Sequence, residues 1–215
     1  MLQHINVYIK TSHLDSPFIS ILLLNMENSL ESYVINALTL LNKSIHVLIS
    51  ADMDSFLGSI FSGSASYEKT PKDELNLAQL EQINLIHTEI KKLQTALTSW
   101  HPGTNSFEVA SGNALRINKF IVSLSSDTVK IEQVAKDALE LPEHDKAAKI
   151  SLIGGYRSCR ESYITVSVII NTYNGYLKDK YEKDVKSARL AHSSTPEKPL
   201  YLSDLSIPKD IALPK

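Results

Sequence analysis

One cysteine and one tryptophan in 215 residues set the first limits. A single thiol, Cys159, excludes an intramolecular disulfide and suits a reducing compartment. Long apolar runs are missing as well. The longest, Phe18 to Leu24, falls far short of the roughly 20 residues that a spanning helix needs. Only Lys10 supplies positive charge within the ten residues before that run, and no small-x-small cleavage site follows before Glu27, so no secretory signal is expected. The expectation is a cytoplasmic protein with no membrane partner.

Neither sign of charge prevails. Twenty-two basic against 24 acidic residues leave a formal charge of −2, which gives no overall attraction to a phosphate backbone and does not favour nucleic acid as a partner. Catalytic and metal signatures are also wanting. The seven histidines include no pair at i, i+3 or i+4, and no Glu-x-x-His presents two ligands from one helix, so neither metal nor cofactor is expected. Asp52-x-Asp54 begins like a calcium loop, but Phe56, Leu57 and Gly58 stand where ligands and the turn belong. An acidic helix N-terminus accounts for that pair better. There is no glycine-rich phosphate loop, and no arginine precedes a histidine at the four-to-six-residue spacing of helical-bundle ribonucleases.

What is present is helical periodicity. From Pro142 to His192 the residues Ala148, Leu152, Tyr156, Cys159, Tyr163, Val166, Ile170, Tyr173, Leu177, Tyr181, Val185 and Ala188 recur in steps of three and four, which predicts a long core helix. Ahead of it, Leu30, Val34, Ala37, Leu41, Ile45 and Leu48 predict a helix to about Ser50, capped near Asn28. Met53 to Phe61 predicts a second, short helix. Thr70-Pro71 opens a third, carried by Ile83, Ile86, Ile90, Leu93, Leu97 and Trp100 until His101-Pro102-Gly103. Phe107 to Leu124 forms the next, and Ser125-Ser126-Asp127 caps another that runs through Val129, Ile131, Val134, Ala135 and Ala138. Residues 1–15 read as a weak helix, and Ser16-Pro17 starts a short buried one.

The fold class expected is all-α: a single-domain bundle of about six to eight helices around the long C-terminal helix, spanning 1–193. Residues 194–215 form an extended, proline-containing tail. Four prolines forbid a continuous helix there, while Leu200, Leu202, Leu205, Ile207, Ile211 and Leu213 keep it apolar, so it either straps the bundle or docks on a partner.

Two stretches invite a functional reading. Gly154-Gly155 precede Arg157 and Arg160; if a helix restarted there, its N–H groups and the guanidinium pair would suit an anion. If the helix is continuous, the glycines instead admit a close neighbour. Lys178, Lys180, Lys183, Lys186 and Arg189 make the end of the long helix basic, but Asp179, Glu182 and Asp184 are interleaved, as on a solvated face. Acids concentrate early, with Glu31, Asp52 and Asp54 as candidate contacts for a basic partner protein. The function expected is therefore a non-enzymatic protein-binding module of the inhibitor, immunity-protein or adaptor type. The alternatives are an enzyme or small-ligand domain with a site between helices near Arg157 and Arg160, and, more weakly, an RNA-binding helical protein.

Overall fold

The computed structural model describes residues 30–61, 71–99, 111–142 and 146–211. Four helices hold them: α1 (Leu30–Phe61), α2 (Pro71–Thr98), α3 (Ser111–Glu140) and α4 (Lys146–Leu190). The expected all-α bundle around a long C-terminal helix is present, but the count of six to eight is not. The readings at 1–26 lie outside the described residues, and two expected boundaries are absent.

The first absent boundary falls near Ser50, where α1 continues without a break to Phe61. The second is at Ser125-Ser126-Asp127, in the middle of α3. Those hydroxyls do not cap. Ser126 Oγ donates to Ser123 O and Thr128 Oγ1 donates to Ser125 O, so each satisfies itself on its own helix. Eight buried positions of α3, Ala114, Ile117, Ile121, Leu124, Thr128, Ile131, Ala135 and Ala138, then alternate threes and fours without interruption, with buried Val134 beside them. Thr128 carries the seam across the polar stretch.

At 45 residues α4 is on the order of 65–70 Å long. Its predicted stripe is its buried face from Leu152 through Tyr156, Cys159, Tyr163, Val166, Ile170 and Tyr173 to Leu177. The helix runs unbroken through Gly154 and Gly155. A Cβ on Gly155 would lie 3.1 Å from Leu48 Cδ1 and 3.4 Å from Ile83 Cδ1, so the missing side chain is what lets α1 and α2 approach α4.

Helices α1, α2 and α4 pack mutually, and α3 packs on α1 and α4. Two buried tyrosines of α4 tie the helices by their hydroxyls. Tyr163 donates to Leu124 O of α3 at 2.8 Å, and Tyr173 donates to the Glu31 carboxylate of α1 at 3.3 Å. Burial raises both phenols well above their ordinary range, with nearby Cys159 adding to the rise at Tyr163 and Glu31 at Tyr173, so they remain donors. Lys149 Nζ donates to Leu139 O, satisfying a carbonyl at the end of α3.

The end of α4 closes in a Schellman turn: Ser193 N donates to Ala188 O at 2.9 Å, His192 N donates to Arg189 O at 3.3 Å, and His192 has φ 51°. That left-handed residue turns the chain out of the helix. From Ser193 to Ile211 it carries no regular secondary structure and returns to lie against α3 and α4.

Candidate functional site

The returning segment meets its helices at regular intervals. On α3, Asn118 Nδ2 donates to Tyr201 O at 3.1 Å and Asn118 Oδ1 accepts from Ser203 N at 2.7 Å. Ser125 Oγ accepts from Ser206 N, and Glu132 Oε1 accepts from Lys209 N. On α4, Asn174 accepts from Leu202 N and donates to Leu202 O, both at 2.9 Å. Farther along α4, Arg160 Nε donates to Pro208 O at 3.0 Å, and the Tyr156 hydroxyl donates to Lys209 O.

The numbering explains the fit. Asn118, Ser125 and Glu132 are seven apart, so they form one row on α3, about 10.5 Å between neighbours. The amides they receive, at 203, 206 and 209, are three apart, and three residues of extended chain cover about 9–10 Å. The same period of three places Leu202, Leu205 and Pro208 in buried positions and Ile211 in a half-buried one. The segment therefore runs parallel to α3 and antiparallel to α4, with one apolar residue turned inward for every amide given to α3.

Where the segment passes α4 it lines one side of an open hollow of about 330 Å³. Ala135 of α3, Ile153, Tyr156, Arg157, Arg160 and Glu161 of α4, and Asp210 with Ile211 of the segment line it. Both arginine candidates from the sequence thus face one hollow, but not as a helix N-terminus, since α4 is continuous and offers no free N–H groups there. Arg160 is partly engaged, with Glu161 at 3.9 Å besides Pro208 O, whereas Arg157 is exposed and has no ion pair among the described residues. Two acids oppose two bases, so the hollow exerts no strong net field on an anion. Burial, reinforced by Glu132 and opposed by Arg160, pushes the Tyr156 phenol up to about 12.

The acidic candidates are elsewhere. Glu31 is buried in the first turn of α1, where it accepts from Asn113 Nδ2 at 2.9 Å and from Tyr173. Its contact on α4 is 13 residues from Arg160, about 20 Å along the helix. Asp52 and Asp54 fall inside α1 rather than at a helix N-terminus; their side chains lie outside the described residues. The charged residues at the basic end of α4, beyond Leu177, are exposed and include a Lys180–Asp184 pair at 3.5 Å, while Tyr181, Val185 and Ala188 of the predicted stripe are only half-buried there.

A serine–histidine pair that the sequence did not suggest sits between α2 and α4, with His87 Nδ1 3.1 Å from Ser162 Oγ. Ser162 is fully buried and gives its proton to Ser158 O, so the imidazole is left to donate rather than to act as base. Burial, then Lys91, holds His87 below its ordinary range against the opposing pull of Glu161. With Ser158 Oγ donating to Asn84 Oδ1 at 2.6 Å, these side chains form a polar contact between α2 and α4. Cys159 is likewise inert: burial pushes its thiol up to about 12, with the Ser44 hydroxyl opposing. Among the described residues no group of three or more His, Cys, Asp or Glu side chains could hold a metal ion, and no helix is long and apolar enough to cross a membrane.

The outer face of α3 carries a different feature. Leu115, Val122 and Val129, seven apart, are 59%, 63% and 71% exposed. They form an apolar row beside the one that holds the returning segment. Comparisons with protein-family models, curated proteins and solved structures find no match to this chain.

Proposed function

We propose that the chain is a non-enzymatic protein-binding module, a cytosolic inhibitor, immunity-type protein or adaptor, that docks a partner protein on the outer face of α3. The observation that supports this reading is the row Leu115, Val122, Val129. Three large aliphatic side chains exposed at heptad spacing form half of a helix–helix seam. The occupant that fits is an amphipathic helix of the partner. Arg116 and Lys119 flank the first half of the row, whereas Lys130 is engaged by Asp127 at 2.7 Å, so the partner helix carries acidic residues beside its apolar stripe. That is the opposite of the basic partner expected from the early acids, of which Glu31 is buried.

A photo-crosslinking residue at position 122, expressed in native cells, tests it. The expected result is one dominant protein adduct that Leu115→Glu with Val129→Glu abolishes, the melting temperature being unchanged because both positions are exposed. An adduct pattern no different from that of a crosslinker at exposed Lys92 would refute the reading.

The cavity favours a second reading, a small-ligand domain. Its volume of about 330 Å³ is at the lower end of ligand sites, roughly 300–1,000 Å³, and Tyr156, Arg157, Arg160, Glu161 and Asp210 converge on it. The paired charges select a zwitterion. Amino-acid-like compounds should raise the melting temperature of the native chain but not of Arg157→Ala; equal shifts in both would reject the site.

A further inference from the structure

We propose that the groove between α3 and α4 is a recognition site for an extended peptide, and that residues 199–211 are its resident, displaceable occupant. Among the described residues, every hydrogen bond between segment and helices falls on the segment's backbone: Tyr201 O, Leu202 N and O, Ser203 N, Ser206 N, Pro208 O, and Lys209 N and O. Donors and acceptors aimed at a main chain hold any sequence of the right shape, and selectivity comes from the apolar residues between them. Here those recur every third position as Leu202, Leu205 and Pro208, with Ile211 next. The proline occupies a position whose amide the groove does not use. A partner segment of matching chemistry is extended and reads apolar-x-x-apolar-x-x-proline.

The linker supports exchange. Among the described residues no hydrogen bond joins 194–200 to the helices, so the covalent connection contributes mainly effective concentration, on the order of millimolar for a short flexible linker. In the intact chain a competing segment meets that concentration of the resident one, and the groove is closed to weak ligands. This site is separate from the apolar row on the outer face of α3, and either reading can stand without the other.

The test uses the full chain with a specific protease site inserted between the exposed Ser194 and Thr195, cleaved after folding, and a fluorescent synthetic peptide of residues 198–215 as probe. Anisotropy should show saturable uptake by the nicked chain, at least about tenfold tighter than by the intact chain, because the resident segment has lost its linker. A probe with Leu202→Asp and Leu205→Asp should not bind, and Asn118→Ala with Asn174→Ala in the chain should weaken uptake by about tenfold or more. A nicked chain that keeps its helical spectrum yet takes up no probe overturns the proposal, as does one that unfolds when the segment leaves. Should the inserted site itself prevent folding, the full chain bearing Leu202→Asp and Leu205→Asp carries the same question: it must bind the unmodified probe more tightly than wild type, and no gain refutes the proposal.

Discussion

Gly154, Gly155 and Gly175 lie on one helix and differ only in what surrounds them. A Cβ at Gly154 meets Leu80 at 3.6 Å, an ordinary contact, and at Gly175 it meets nothing within 4 Å, while at Gly155 it meets Leu48 at 3.1 Å. Alanine is favoured over glycine inside a helix by about 1 kcal/mol. Gly154→Ala and Gly175→Ala are therefore expected to stabilise by about 0.5–1 kcal/mol, Gly155→Ala to gain less, and Gly155→Val to destabilise by about 1–3 kcal/mol, all measurable by urea denaturation. The sequence suggested that adjacent glycines serve close packing; which of them does so depends on the facing Leu48 and Ile83, which no local pattern identifies.

Buried titrating groups predict a pH dependence. His87 is held below 6.5 when folded, so below that pH the unfolded chain binds the extra proton and stability falls. Cys159 stays protonated up to about 12 when folded but begins to ionise near 9 when unfolded, so stability falls again as pH rises from 9 towards 12. Equilibrium unfolding across pH should show both declines. Cys159→Ala should remove the part of the alkaline decline that begins near 9, leaving the part above 10 that the buried phenols of Tyr156, Tyr163 and Tyr173 contribute, and His87→Gln should flatten the acidic limb.

At the level of elements, most of the architecture was legible. The predicted stripes of α1, from Leu30 to Leu48, and of α4, from Leu152 to Leu177, are the buried faces. Breaks were less readable. Ser125-Ser126-Asp127 has the composition of a cap, but a cap forms only where the chain leaves helical geometry, and the heptad seam continues through Thr128. Val129, one of the apolar residues whose spacing predicts that helix, is exposed because the seam places Thr128 and Ile131 inward. The groove also left a trace in the sequence: a period of three in Leu202, Leu205, Pro208 and Ile211, and a period of seven in Asn118, Ser125 and Glu132. Neither is apolar periodicity of helix or strand, and pairing the two requires knowing that α3 and the tail are neighbours. Asn118 and Asn174 each make two hydrogen bonds to the segment, so Asn118→Ala and Asn174→Ala should each cost about 1–3 kcal/mol, more than Ser125→Ala, which loses one. Denaturant midpoints for the three variants give that order; equal values would deny the paired contacts.

For the molecule as a whole, α3 is the element on which both functional proposals depend. Its inner seam joins the bundle, one lateral row holds the C-terminal segment, and its outer row offers Leu115, Val122 and Val129 to a partner. Both proposals need α3 to be a single continuous helix from 111 to 140, and the groove proposal also needs residues 201–211 to be held in its register. Native-state hydrogen exchange reads this directly. The amides of Leu202, Ser203, Ser206 and Lys209, each bonded to a helix side chain, should exchange at least about tenfold more slowly than those of Asp204 and Ile207, giving protection with a period of three. Uniformly fast exchange from 201 to 211 would contradict the arrangement and remove the groove's occupant.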